Sequence, residues 1–349
     1  MHISFIVPCY NVSKTVRRCL DSIYALGLSE KEFEVLTIDD ASTDETLELL
    51  EEYAGAHENL RIIHHLVNRN LGAARNSGLA EAKGDCIAFV DSDDEVAPGI
   101  VEAVRMMEEQ ELDMVAMRVE KVSEQGEVVE ERTLPYVSGQ VFSGVELQEK
   151  HPYWGVQAWG YLYKRVCIDK VNYPFAEGVF YEDSDYVCRH LFQAERMVFC
   201  NECGYRFYYS NPSSITHSSS PRHIFAYAYL GVRMLKFYVG LEEQDMRFAE
   251  TILEGGSYNL WSSFRHIPAL GSASEVRLFY NLLDSFVDRK SLLKYRHPVN
   301  YWTKWTRLCL KHRQVVIWLV GGFISIGRKR FIKKEQKSRA SLLPEKCSM

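Results

Sequence analysis

The first third of the chain alternates short apolar runs with amphipathic stretches. "HISFIVP" (2–8), "FEVLTIDD" (33–40), "LRIIHH" (60–65), "CIAFV" (86–90) and "DMVAMRV" (113–119) have strand-like lengths and few polar interruptions. Such runs mark strands buried on both faces. Between them the period becomes helical. Val16, Leu20, Ile23 and Tyr24 share one face of a helix predicted over 13–26, with Gly27 placed to close it. Ser42-Thr-Asp-Glu45 reads as a capping box opening a helix striped by Leu47, Leu50 and Tyr53. "GAARNSGLAEA" (72–82) predicts a small-residue helix, and Pro98 stands where a helix accepts its first residue. The alternation predicts an α/β protein with a mostly parallel sheet flanked by helices.

From Lys121 the pattern changes. "KVSEQGEVVEE" predicts a hairpin turning at Gln125-Gly126, and an aromatic-rich region runs from Tyr153 to Tyr209. Beyond Pro221 the chain reads as helices over 223–241, 246–264 and 275–287. Residues 1–120, 121–220 and 221–349 are therefore treated as a strand–helix alternating half, a second α/β half and a helical extension.

Polar residues gather at the predicted strand ends: Asn11, then Asp39 and Asp40, then Asp91 to Asp94. Open α/β sheets bind ligands outside those carboxyl ends. In "CIAFVDSDDEVAP", Asp91, Asp93, Asp94 and Glu95 crowd one strand end, where repulsion and lost solvation demand a positive counterpart. The first strand leads into Pro8-Cys-Tyr-Asn11, with neither G-x-G-x-x-G nor a P-loop, so phosphates do not rest on a glycine turn. A divalent cation, Mg2+ or Mn2+, bridging carboxylate and diphosphate oxygens answers both points. Two blander readings stand beside it: a solvated turn before a helix, and a calcium loop. Asp91, Asp93, Glu95 and Glu102 have EF-hand spacing, but Val96 replaces the glycine of the sharp turn and Pro98 interrupts the loop.

"FIVPCYN", "TIDDASTDET", "NLGAARNSGL" and "FVDSDDEVAP" together resemble, in order and spacing, the N-terminal half of family 2 glycosyltransferases with the GT-A fold. The resemblance implies sugar transfer with inversion from a nucleotide diphosphate sugar, usually UDP-linked, with Mn2+ or Mg2+. It implies that Pro8 and Tyr10 line the nucleotide, that Asp39 and Asp40 contact base and ribose, and that Arg75 and Asn76 shape the pocket. Asp91-Ser92-Asp93 becomes the DxD motif, with Asp93 closest to the metal, Asp94 toward the donor sugar and Glu95 toward solvent. The competing assignments are structural. Asp39 and Asp40 would start a turn, Tyr10 would pack on the next helix, and Arg75 would pair with Glu81 or Asp85.

Inverting transfer needs a carboxylate to take the acceptor hydroxyl's proton. "GVFYEDSDY" (178–186) supplies Glu182, Asp183 and Asp185 and resembles the family's Glu-Asp motif, making Asp183 the candidate base and Glu182 its substitute. The alternative is an acidic helix start. In "VQAWGYLYKRVCI" Trp159 is a candidate sugar platform or a core residue, and Gly160-Tyr161 replace the family's usual Asn-Lys. His217 is a further candidate metal or phosphate contact.

Composition adds two points. With 46% hydrophobic and 25% charged residues the chain is an ordinary globular protein. Its nine scattered cysteines fit a reducing compartment; Cys200 and Cys203 lack a second pair for zinc and read as a turn between strands. The net charge of −6 hides a basic tail: from Asn300 onward 12 Lys/Arg face only Glu335 and Glu345, a balance of +10, leaving −16 for the rest. Within it "QVVIWLVGGFISIG" (314–327) is too short to span a bilayer and has basic and aromatic flanks. The stretch 301–340 is thus a candidate for an anionic membrane surface or for a contact with the body or a second copy, rather than for nucleic acid. No signal-peptide pattern opens the sequence, so the expected place is the cytoplasm, with the tail peripheral on the inner face of the cytoplasmic membrane. The resemblance implies that 1–120 is the nucleotide-sugar-binding half and 121–220 the acceptor-side half, acting on a glycan or lipid-linked glycan in surface polysaccharide synthesis. The rival functions are a sugar nucleotidyltransferase, which needs a glycine-rich loop after the first strand, and a non-catalytic glycan- or nucleotide-binding relic.

Overall fold

A computed structural model of the chain describes residues 2–151, 155–209, 221–239, 273–286, 312 and 314. They fall into two compact units, the first carrying the sheet and the second two helices.

In the first unit the apolar runs form β1 (Ile3–Cys9), β2 (Phe33–Asp39), β3 (Leu60–His64) and β4 (Cys86–Phe89). These pair in parallel in the order β3-β2-β1-β4. The register sets Cys9 beside Asp39 and Asp39 beside His64, so three carboxyl ends are level. Between them run α1 (Val16–Tyr24), α2 (Thr46–Ala56) and α3 (Asn70–Glu81). Alternate strand residues feed opposite cores. Ile3, Phe5 and Val7 meet Val16, Leu20 and Ile23 of α1, whereas Ile6 meets Ala74 of α3 and Phe89. A side chain at Gly78 would collide with Ile6, which is why α3 lies so close to the sheet.

The sheet then ceases to be parallel. After β5 (Glu95–Val96) and α4 (Gly99–Gln110), β6 (Met114–Val122) turns through the expected hairpin into β7 (Val128–Arg132), with Gly126 at φ 80. Following α5 (Gly144–Lys150), β8 (Tyr161–Lys164) enters antiparallel between β4 and β6. After α6 (Arg165–Val171) and α7 (Glu182–Gln193), β9 (Met197–Tyr208) runs parallel to β6 and pairs antiparallel with β5. The nine strands of the described residues form one mixed sheet.

Two local expectations change. The capping box does not form. Ser42 Oγ accepts from Asn11 N, and Asp44 Oδ1 takes the Thr46 amide at the start of α2. Cys200 and Cys203 do not flank a turn between strands; both lie in β9, where the register shifts so that Met117 faces Cys200 and the adjacent Arg118 faces Cys203.

In the second unit α8 (Pro221–Val239) and α9 (Ala273–Phe286) bring Phe225 and Phe279 within 5.9 Å. The predicted helix over 246–264, His217 and nearly all of 301–340 lie outside the described residues. No helix among the described residues is long and apolar enough to cross a membrane.

Candidate active site

The carboxyl ends of β1, β2 and β4 converge on one acidic edge. Asp39 is fully buried; its Oδ2 accepts from His64 Nδ1 at 2.8 Å and its Oδ1 from Ser42 N. His64 is nearly half exposed and is what covers the Asp39 carboxylate. Asp40 has a different role from the expected ribose contact. Its Oδ1 accepts from His65 Nδ1 at 2.6 Å and Arg69 N at 2.9 Å, and its Oδ2 from Asn70 N at 2.8 Å. The buried carboxylate fixes the loop between β3 and α3 by taking these donors, as a charge removed from water requires.

Arg75, on α3, is the electrostatic centre. It is buried, and its fork splits: Nη1 donates to Glu182 Oε1 and Nη2 to Asp91 Oδ1, each at 2.7 Å. Neither Glu81 nor Asp85 is its partner. Burial works against the guanidinium's charge, but Asp91 and Glu182 outweigh it and hold the proton more firmly than usual. Phe175 lies 5.3 Å beneath the same guanidinium. The strand-end acid and the head of α7 are thereby tied through one cation.

Tyr181 adopts a left-handed conformation (φ 63, ψ 25), and the turn it makes presents Glu182 and Asp183 in the first turn of α7. Glu182 is buried, whereas Asp183 stays partly exposed, with Oδ1 accepting from Ser184 N at 2.9 Å. Burial raises the proton affinity of both acids, and the Arg75 charge pulls the other way. For Asp183 the balance leaves a pKa of about 6. Asp185 serves structure: it and Arg189 form a buried pair at 2.6 Å.

In the DxD stretch, Asp91 is a quarter exposed, Asp93 is half-buried and Ser92 is buried beside the Cys9 thiol. Asp94, expected on the sugar side, is instead buried at the foot of the loop. Its Oδ2 accepts from Tyr205 Oη at 2.8 Å and its Oδ1 from Tyr208 N at 2.9 Å. Burial first, then the charges of Asp93 and Asp91, raise its pKa well above the carboxylate range. Glu95, expected in solvent, accepts from Tyr208 Oη at 2.9 Å and lies 3.5 Å from Arg18.

Three other expectations resolve on geometry. Asn76 is held by protein partners: its amide bonds the Phe175 backbone in both directions, at 3.1 and 2.9 Å, and Glu177 at 3.0 Å. Trp159 takes the packing role. It is buried in the core and stacked at 4.9 Å on Tyr205 and 5.3 Å on Phe207, the setting of a packing residue. Pro8 is buried in β1, while Tyr10 follows its end and is 47% exposed. Sequence reasoning missed Arg18, His64, His65, Tyr205 and Tyr208. The tyrosines had a faint signal in "GYRFYY", which delivers aromatic hydroxyls at a strand end.

Among the described residues no three His, Cys, Asp or Glu side chains form a self-sufficient metal cage. Asp91, a quarter exposed, and Asp93, half-buried, are hard oxygen donors of the kind a divalent ion takes, since Mg2+ sites commonly combine one or two carboxylates with substrate phosphates.

Comparison with known proteins agrees with this architecture. Residues 4–164 match the family described as Glycosyl transferase family 2, and the chain carries a domain of that family on a GT-A fold. Over 223 residues it is 33% identical to the glycosyltransferase EpsJ of Bacillus subtilis (strain 168), covering 61% of this chain and 62% of that protein. The match therefore spans less than two thirds of that relative's length. The structure of Staphylococcus aureus TarS 1-349 in complex with UDP-GlcNAc superposes with a TM-score of 0.64 at 20% identity, covering 95% of this chain and 92% of that one. The mannosyltransferase PcManGT of Pyrobaculum calidifontis, in complex with GDP-Man and Mn2+, superposes at 0.51 with 17% identity over 93% and 87%.

Proposed function

We propose that the protein transfers a sugar from a UDP-linked donor to a hydroxyl of a glycan or lipid-linked glycan, with inversion, in surface polysaccharide synthesis. The observation that carries this reading is the Arg75 fork, which ties Asp91 at the β4 end to the Glu182-Asp183 pair at the head of α7. Binding of UDP-GlcNAc by the TarS neighbour supports the donor class.

In this reading Asp183 takes the acceptor's proton as its oxygen attacks the anomeric carbon from the face opposite the diphosphate. The anomeric C–O bond to the diphosphate breaks, and the electron pair leaves with the nucleoside diphosphate. An Asp183 pKa of about 6 keeps the base ionised near neutrality yet basic enough to act. Arg75 holds Asp91 and Glu182 in place throughout, and Tyr10 offers an exposed ring at the nucleotide end of β1. Asp93 with Asp91 would hold Mn2+ or Mg2+, which when bound offsets the charge gathering on the diphosphate. His217 is proposed as an added contact there, and the basic stretch 301–340 as the part that meets an anionic membrane surface on the cytoplasmic side, or a second copy of the chain.

A thermal-shift series with nucleotide sugars, with and without Mn2+, tests the reading, because a ligand of the folded state raises its melting temperature. UDP-sugars with Mn2+ are expected to raise it, and Asp93→Asn to abolish the rise. If no nucleotide sugar shifts the parent, the reading fails. Turnover of the responding donor separates an enzyme from a binding relic.

A further inference from the structure

The acidic loop engages a second arginine besides Arg75. Arg18, on α1, donates from Nη2 to the main-chain carbonyl of Asp93. Its Nε lies 3.5 Å from Glu95 Oε1, and its guanidinium carbon lies over the Tyr208 ring at 3.6 Å from the centroid. Tyr208 in turn holds the two following residues, Asp94 through its main-chain N–H and Glu95 through its hydroxyl, each at 2.9 Å. Arg18 is thus the third side of a brace around residues 93 to 95. It reaches the peptide unit that sets where the Asp93 carboxylate begins. The planar fork matters here. Only a guanidinium can stack on a ring while donating to a carbonyl and keeping a carboxylate as ion-pair partner at its edge; an ammonium offers one compact point of charge.

We propose that Arg18 is a positioning residue for the donor site, fixing the Asp93 main chain and thereby the approach of its carboxylate to the donor's cation and diphosphate. This rests on the donor-binding reading above. Arg18 touches neither sugar nor nucleotide; it acts through Asp93, Glu95 and Tyr208.

The test is UDP binding by calorimetry over a Mn2+ series, on the full chain, for the parent, Arg18→Ala, Arg18→Lys and Tyr208→Phe, each with its ligand-free melting temperature. Loss of groups that orient a metal's ligands typically costs about 10–100-fold in metal affinity. Arg18→Ala is expected to raise the Mn2+ concentration for half-maximal UDP binding by that factor, and Arg18→Lys to restore little of it. Tyr208→Phe keeps the stacking ring but loses the Glu95 bond, so a smaller rise is expected. If Arg18→Ala fails to melt cooperatively, Arg18→Lys decides by the same criterion. A lowered melting temperature with an unchanged Mn2+ requirement per folded molecule would make Arg18 merely structural and overturn the proposal. A parent that binds no UDP at any Mn2+ level overturns the donor reading itself, a result distinct from variants that bind like the parent.

Discussion

Glu182 accepts a 2.7 Å hydrogen bond from Arg75, although 107 positions separate them along the chain. Both are buried, and the same guanidinium holds Asp91. Breaking a buried ion pair strands the remaining charge, at a cost of about 3–5 kcal/mol. Arg75→Met is therefore expected to lower the unfolding free energy by that order, seen as a lower urea midpoint, and to remove transfer even at temperatures where the variant stays folded. Arg75→Lys restores charge but not two separately aimed donors, so recovery should be partial. Urea unfolding followed by circular dichroism, beside an activity assay, checks both.

The base should show itself in pH dependence. Burial raises Asp183, Arg75 lowers it and Asp91 raises it, leaving about 6. The active form is deprotonated, so kcat/KM should rise with pH through that value and then level off. Below it the rate should fall about tenfold per pH unit. Asp183→Asn should lose transfer by about 10²–10⁴-fold while still binding UDP. A variant that transfers at the parental rate would remove Asp183 from the mechanism.

Asp94 gives a stability prediction with the opposite slope from an ordinary paired carboxylate. Its folded-state pKa is raised above the unfolded value, mainly by burial. The folded state therefore binds the proton more tightly, and the resulting stability is complete below the unfolded pKa and lost as pH rises through the folded one. In metal-free protein the parent's urea midpoint should decline from mildly acidic to alkaline buffer. Asp94→Asn, which cannot titrate, should show a shallower decline over the same range.

Trp159 separates packing from recognition. A buried indole stacked on Tyr205 and Phe207 leaves a large void when truncated. Trp159→Ala is expected to cost about 3–5 kcal/mol. Trp159→Phe, which keeps a ring in the stack, should cost less and leave the acceptor KM near the parental value. A raised acceptor KM in a stable Trp159→Phe protein would return Trp159 to the sugar site.

What the sequence made legible is what local pattern encodes. The apolar runs of β1 to β4 and the stripe of Val16, Leu20 and Ile23 depend on near neighbours, and the acids at strand ends follow directly from where the runs stop. The Gln125-Gly126 hairpin was readable for the same reason. Long-range partners were not. Asp40 looks like any strand-end acid until the loop at Arg69 and Asn70 folds back to it, and Asp94 differs from Asp93 only because Tyr205 and Tyr208 arrive from β9. Trp159 could not be assigned from its own segment, since its stacking partners lie on β9, in a different part of the chain. Arg18 carried no signal at all; one of two arginines on an amphipathic helix, it gains meaning only from the loop above it.

The place of β8 in the sheet carries a consequence for how the protein comes into being. This strand, Tyr161–Lys164, is wedged between β4 and β6, which precede it in the chain. A nascent chain emerging from the ribosome can pair β1, β2, β3 and β4, yet β4 keeps an open edge until Lys164 is out. Arg75 likewise waits for Glu182 to emerge. The two parts of the sheet unit therefore cannot finish folding one after the other: a chain stalled before α7 would leave Arg75 with Asp91 but without Glu182, half the counter-charge that the finished fold gives it.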